Sequence, residues 1–326
     1  MSAVQLPIID VAPFLHISTS STPDQRIEEA ARELHNACRT YGFFYLRIES
    51  FVDPEEPEGL LCLANDFFAL PQEEKDQFHV SNQDGARGYA RLKENHTAGK
   101  TDNHESIDFY KPVSQPDKAK VIHGENQWPV SVNIPEFRSR YERWIEKMLQ
   151  LGMIVNRAMA IGLGLSQDEQ EDLLNRIKDS FWIMRIVGYP PLPDDHNGLS
   201  CGIHRDYGCL TFLYTDHTQG ALEIFHRPLE GQVRLPDVQE DPNQLEEGVW
   251  IKADPIPGCI VCNVGESMSL EQSLEEKLRQ ENLRHSVWEA WTNGVYKSIL
   301  HRVVHRGTNY RHVQVKIRIG DSEFAK

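Results

Sequence analysis

The chain has no excess of basic residues, no apolar run approaching the ~20 residues a membrane helix requires, no low-complexity tract and no internal repeat. Among its 326 residues, 34 Lys and Arg stand against 49 Asp and Glu. The resulting net charge of −15 repels phosphate backbones and anionic lipid, so neither nucleic acid nor a membrane is an expected partner. The start, MSAVQLPIIDVAPFL, lacks a basic leading segment, and it reads as neither a signal nor a transit peptide. Cysteine is sparse. Six thiols (Cys38, Cys62, Cys201, Cys209, Cys259 and Cys262) lie among apolar neighbours, which fits reduced side chains and a cytoplasmic location. Cys259 and Cys262 form a CxxC, but in a strand-like apolar run with no helix start behind it, so two packed core thiols are expected rather than a redox or zinc pair.

What is present is an ordinary globular composition, 40% hydrophobic and 25% charged, with no Gly-, Ser- or Pro-rich linker. The pattern divides into three regions: 1–120, of helices and first strands; 121–175, a long helix and its connection; and 176–326, a β core. In the first, Ile27, Ala30, Ala31, Leu34 and Cys38 recur at helical spacing over Arg26 to Arg39, and a buried strand follows from Tyr41 to Leu46. A second helix is expected from Gly59 to about Leu70, and loop from Ser81 to His104. From Pro135, the residues Phe137, Tyr141, Trp144, Met148, Leu151, Val155, Ala158 and Gly162 mark one face of a long brace helix. After Phe181 the pattern changes to short apolar runs between turns, pointing to an antiparallel barrel or jelly roll.

The chemistry lies in that last region. His204 and Asp206 are two residues apart, so on an extended backbone both side chains leave one face and can share an ion, with Arg205 pointing away. Two histidines and a carboxylate suit iron(II), leaving three coordination positions open. His301, after the turn signal Asn293-Gly294, is the candidate third ligand. His305, four residues on, is its rival. A zinc-protease pair is disfavoured because the intervening Glu is missing and Val303 and Val304 favour a strand. His285 and His312 are read as solvated or structural. Val313, Val315, Ile317 and Ile319 alternate with Gln314, Lys316 and Arg318, and Arg311 has the parity of the apolar set. A buried guanidinium requires an anion, either a bound carboxylate or an internal Asp or Glu.

In wording and order, LPIIDVAPF, YGFFYL, FFALPQEEK, ARGYARL, QWP, RIVGYPP, HRDYGCLTFLYTD, PIPGCIVCNVGE and WTNGVYKSILHRVV resemble the iron(II) and 2-oxoglutarate-dependent dioxygenases of the isopenicillin N synthase-like superfamily. The resemblance implies a double-stranded β-helix (a cupin-like jelly roll) with flanking helices. It implies iron at His204, Asp206 and His301, and 2-oxoglutarate gripped by Arg311 with help from Tyr189. The implied activity is oxidation of a small molecule by dioxygen (hydroxylation, desaturation or ring closure), with succinate and CO2 as co-products, in a monomer of secondary metabolism. Two alternatives remain: a same-fold oxidase that does not use 2-oxoglutarate, and a catalytically silent binding protein. Arg87 and Tyr89, with Glu105 and Asp108 nearby, lie where relatives approach the pocket mouth and are candidate substrate contacts.

Departures from the family pattern are also visible. Arg311 is followed by His312-Val313 rather than x-Ser, and Ile48-Glu49-Ser50 replaces NHG. An extra segment lies between Glu266 and Trp291, where Ser269 and Gln272 form a potential capping box ahead of Leu270, Leu274 and Leu278. The chain ends soon after the Arg311 strand, at Lys326, so a barrel short at that end is expected.

Overall fold

The computed structural model describes residues 5–15, 24–130, 134–193, 195–227, 248–265, 288, 292 and 294–319. In chain order, β1 (Ile8–Asp10) leads to α1 (Gln25–Thr40) and β2 (Phe43–Arg47). Then come α2 (Glu55–Phe68), α3 (Gln72–Asp76), β3 (Gly88–Ala90), β4 (His96–Thr97), β5 (Lys100–Thr101) and β6 (Glu105–Tyr110). Two helices follow, α4 (Phe137–Gly162) and α5 (Gln167–Ile177). The last strands are β7 (Trp182–Tyr189), β8 (Leu199–His204), β9 (Leu210–Thr215), β10 (Leu222–His226), β11 (Val249–Lys252), β12 (Cys259–Val264), β13 (His301–Val304) and β14 (Arg311–Ile319).

Local chemistry sets the helix ends. The Asp24 side chain caps α1 by accepting from Arg26 N–H (3.0 Å), satisfying one of the donors the first turn leaves open. The helix stops where Gly42 takes φ +59° and returns its N–H to the Ala37 and Cys38 carbonyls. A Cβ at Gly42 would fall 2.6 Å from the Lys297 carbonyl, so only glycine fits this turn into β2. α2 begins at Glu55, earlier than expected. Its acidic first turn suits the helix N-terminus, and Pro57 falls where a missing N–H costs nothing. The predicted brace helix is α4, whose stripe from Phe137 through Tyr141, Trp144, Met148, Leu151, Val155 and Ala158 is buried. Each such large apolar side chain contributes about 1.5–3 kcal/mol on burial.

The strands form an eight-stranded sheet, ordered β1-β2-β12-β9-β14-β7-β6-β3, a four-stranded sheet, ordered β11-β10-β13-β8, and a two-stranded sheet of β4 and β5. Pairing is antiparallel except for β1 with β2. The two larger sheets are the walls of a jelly roll, and its interior is filled from both. Val187 and Tyr189 of β7 meet Cys201, Ala221 and Val303, while Phe43, Tyr45 and Val261 meet Leu222 and Ile224. The opposite face of the large sheet, including Phe44, Cys262, Phe212 and Met184, packs with the α4 stripe. Strands buried on both faces read as continuous apolar runs, which is why β2 and β12 lack alternation. Cys259 and Cys262 belong to different clusters because residues three apart on a strand face opposite ways, so the CxxC sulfurs do not meet.

Three expectations change. The segment from Ser81 to His104 contains β3, β4 and β5, too short to show a period. The α5 helix has few apolar residues in its sequence, yet a complete capping box between Ser166 and Glu169 fixes its start. Of the apolar runs expected as strands after Phe181, that from Val295 to Val304 is a strand only from His301 onward. Of the extra segment, only Trp288 is described, buried against Tyr296 at 5.7 Å between ring centroids; the predicted Ser269–Leu278 helix and residues 320–326 lie outside the described residues. The Arg311 strand is flanked on both sides, by β9 and β7.

Candidate active site

His204 is the last residue of β8 and His301 the first of β13, and the antiparallel register sets them directly opposite each other. The chain leaving β8 then brings Asp206 back between them. Its Oδ1 lies 3.6 Å from Nε2 of each histidine, and one ligand atom from each residue falls within 4.8 Å of the others. A separation of 3.6 Å is long for a hydrogen bond, yet two ligand bonds of about 2.1 Å to one ion span up to about 4.2 Å. The three donors therefore fit a shared divalent cation. Both rings are held from behind, His204 Nδ1 by the Gly202 carbonyl (2.9 Å) and His301 Nδ1 by the Ile299 carbonyl (3.2 Å). A carbonyl only accepts, so each Nδ1 carries the proton and each Nε2 presents its lone pair to the gap. Asn263 Nδ2 donates to the other Asp206 oxygen (3.2 Å), and Phe43 packs edge-on against His301.

Asn263 thus orients the carboxylate without ligating. Asn263→Ala is expected to weaken iron(II) binding by about 10- to 100-fold, the usual scale for such supports, in an anaerobic metal titration. Unchanged affinity would show that the carboxylate is held without it.

His305 stands apart. It follows β13, its Nε2 meets the Asn309 carbonyl at 2.8 Å, and it is not grouped with the three donors. Because His301 starts a strand rather than a helix, the zinc-protease geometry is absent.

Arg311 opens β14 opposite Tyr189. It is 1% exposed, and its Nε and Nη1 have no hydrogen-bond partner among the described residues. The nearest carboxylate oxygen, on Asp216, is 4.0 Å from Nε, at the limit of an ion pair, and the Tyr189 ring lies 5.2 Å below the guanidinium. Burial pulls the Arg311 pKa down from its ordinary value, an effect Tyr189 and Asp216 partly offset, and burial pushes the Tyr189 phenol up. A buried cation with unfilled donors has the chemistry to receive a planar anion.

The burial of Arg311 matches the sequence expectation, but the reason differs. A register shift between Val313 and Lys316 breaks the alternation. Ile317 consequently pairs with Met184 and joins the core under the helices, whereas Arg311 pairs with Tyr189 on the interior face. The two residues are buried on opposite sides of the sheet.

Arg185 shares the interior face of β7 with Val187 and Tyr189. Opposite it in register on β6, Asp108 accepts from both Arg185 Nε (2.7 Å) and Nη2. Burial alone would lower the Arg185 pKa, but the Asp108 carboxylate holds it well above the ordinary value. The Arg185 side chain keeps 29% exposure while Asp108 keeps 7%. Tyr207, next to Asp206, clusters with Tyr110, Phe181 and Ile183 beside this pair. His104 lies nearby, its ring 5.4 Å from that of Tyr189. Burial, then Arg185, pushes its pKa down to about 4, so the ring is neutral at neutral pH.

The ARGYARL segment is placed differently from expectation. Arg87 is wholly buried in an ion pair with Asp84 (2.6 Å), donates to the Lys111 carbonyl (3.1 Å) and lies over the Tyr110 ring. Tyr89 is a buried β3 residue whose hydroxyl donates to Glu105, which also binds Lys75 (2.8 Å) and Tyr310 (2.6 Å). Both side chains are buried and engaged by partners within the wall. Glu105 and Asp108, three apart on β6, face opposite sides, and only Asp108 looks inward. Sequence reasoning passes over Arg185, although it shares the period-two face of Tyr189; Asn263, a polar residue embedded in an apolar run, is a readable exception.

The chain belongs to the 2OG-Fe(II) oxygenase superfamily, whose model matches residues 175–318, with the "non-haem dioxygenase in morphine synthesis N-terminal" model matching 6–131. It is accordingly an oxidoreductase that uses iron(II), 2-oxoglutarate and dioxygen on a small-molecule substrate. It is 34% identical over 321 residues to a homoarginine-6-hydroxylase of Glycine max, covering 94% of this chain and 82% of the relative. Identity to a homoarginine-6-hydroxylase of Arabidopsis thaliana is 32%, covering 94% and 74% respectively. The fold matches that of a 2OG-Fe(II) oxygenase family protein from Caulobacter crescentus, with a TM-score of 0.70, 23% identity, and coverage of 97% of this chain and 87% of that one.

Proposed function

We propose that His204, Asp206 and His301 hold the iron, that Arg311 with Tyr189 holds the distal carboxylate of 2-oxoglutarate, and that the reaction is hydroxylation of a free amino acid with a basic side chain. The balance is that of the family: substrate C–H, dioxygen and 2-oxoglutarate give substrate C–OH, succinate and CO2. Bound iron(II) supplies the activation of dioxygen; the protein supplies placement. The Asp206 carboxylate and the two Nε2 atoms would supply three of the ion's ligands, so positions would remain for co-substrate and oxygen. Arg311, stacked over Tyr189, offers unfilled donors deep in the barrel, and the two flanking sheets keep bulk water from that cation.

The substrate class rests on the Arg185–Asp108 pair. A bidentate ion pair on the interior wall, with the arginine still partly accessible, presents both signs of charge to one molecule. A zwitterionic amino acid matches both, and relatives at 32–34% identity are named for a substrate of this class. Arg185→Met removes the cation while keeping a comparable volume. It should lower kcat/KM by at least about 30-fold, the equivalent of ~2 kcal/mol, with iron and 2-oxoglutarate affinities unchanged. Screening basic, neutral and acidic amino acids for gain of one oxygen atom by mass spectrometry, in wild type and Arg185→Met, checks the reading. Turnover confined to uncharged molecules, or unaffected by Arg185→Met, would contradict it. A cytoplasmic location is part of the same proposal, and the six free cysteines are compatible with a reducing compartment.

A further inference from the structure

Beside the His204–Asp206–His301 triad lies a second group of metal-ligating side chains that the reaction above does not use. Asp102, His104 and Cys201 bring a carboxylate oxygen, an imidazole nitrogen and a thiol sulfur within 4.8 Å of one another. They are 4%, 3% and 9% exposed. Two backbone contacts fix the segments that carry them: Asn103 N–H donates to the Ser200 carbonyl (2.9 Å) and Gly202 N–H to Asp102 Oδ1 (3.0 Å). The other Asp102 oxygen accepts from the Thr97 hydroxyl at 2.7 Å.

His104 is the anomaly. Neither ring nitrogen makes a well-formed hydrogen bond among the described residues, although both are sealed from solvent. The Ser200 carbonyl, which accepts from Asn103 N–H, also lies against the ring and favours a proton on one nitrogen, leaving the lone pair of the other for a ligand. Buried polar atoms are rarely left this way, and a neutral imidazole with one nitrogen within 4.8 Å of a carboxylate oxygen and a thiol sulfur is placed to act as a metal ligand.

We propose that Asp102, His104 and Cys201 form a second cation site, for a thiophilic divalent transition metal of the zinc class, on the flank of the iron site. Three protein ligands of sulfur, nitrogen and oxygen type with a fourth position open is an arrangement zinc accepts, whereas magnesium and calcium favour oxygen donors alone. Binding replaces the thiol proton by the ion: Cys201–SH and M²⁺ give the thiolate–metal bond and one released proton. Thr97 and Gly202 keep the carboxylate oriented, leaving its remaining lone pairs for the ion. Cys201 Sγ is also 3.8 Å from His204 Nδ1, so the two sites touch through one contact.

Cobalt(II) tests this in the full-length, metal-free protein under anaerobic conditions. A thiolate ligand gives cobalt an intense near-ultraviolet charge-transfer band, and the His204–Asp206–His301 set contains no sulfur. The expected result is two ions per chain and a thiolate band that is lost in Cys201→Ser and His104→Ala. The band is retained in Cys62→Ser, which removes the exposed thiol, and in His204→Ala, where only the sulfur-free ion is lost. One ion per chain with no thiolate band in wild type overturns the proposal, and so does a band that persists in Cys201→Ser. Neither result bears on the iron site, which the His204→Ala stoichiometry reads separately.

Discussion

His204→Ala is expected to abolish iron-dependent formation of succinate and oxidised substrate, while the melting temperature of the metal-free protein stays within about 4 °C of wild type. The asymmetry follows from where the side chain sits. His204 keeps 21% exposure at the end of β8, whereas His301 is packed under Phe43, so truncating His204 leaves the smaller cavity. Two donors remain, but an ion held by Asp206 and His301 alone lacks the third ligand that fixes which of its positions stay open. Wild-type turnover and iron content in this variant would remove His204 from the ligand set. The corresponding His305→Ala variant should keep its iron, because His305 faces the Asn309 carbonyl and not the triad.

Arg311→Met should separate binding from stability in opposite directions. In the co-substrate complex, it deletes charge-assisted hydrogen bonds to a carboxylate in an enclosed pocket, a loss of about 2–5 kcal/mol, or roughly 30-fold to several thousand-fold in 2-oxoglutarate affinity. Without co-substrate, it removes a buried cation whose Nε and Nη1 lack partners among the described residues and replaces it with an apolar chain of similar volume. That exchange relieves desolvation, so the unliganded variant should melt at or above the wild-type temperature. A structural ion pair with Asp216 would give the reverse: near-normal 2-oxoglutarate affinity and a lower melting temperature. Calorimetric unfolding with and without the co-substrate reads both quantities.

The parts of this site legible in sequence are those whose geometry is local. His204 and Asp206 share a face because they are two apart, and the chain after β8 preserves that relation. The third member of the triad is not local, and that it is His301 rather than His305 follows from the register of β13 on β8, which no spacing rule encodes. Arg311 shows the opposite hazard. Its alternation with Ile317 marks it as buried, and it is, but the register shift in β14 sends the two to different faces. A one-residue irregularity is invisible in a pattern where both faces are apolar. The Arg185–Asp108 pair joins residues 77 apart that each look like a surface charge in isolation, and only the β6–β7 pairing turns them inward together. Arg87 and Tyr89 illustrate the converse, polar residues in a Gly-containing segment that forms an edge strand and its internal ion pair. Helix α5 escapes a search for apolar periodicity because its signal is a capping box rather than a stripe.

Central to the assignment is that one barrel holds iron on His204, Asp206 and His301 and 2-oxoglutarate on Arg311 at the same time, and anaerobic visible spectroscopy addresses it directly. Iron(II) and 2-oxoglutarate together should give wild-type protein a weak charge-transfer band that neither produces alone. The band should be absent in His204→Ala at any co-substrate concentration, and in Arg311→Met it should appear only at 2-oxoglutarate concentrations raised by about the affinity loss given above. No band in wild type, or one that forms in Arg311→Met at wild-type concentrations, would contradict the assignment.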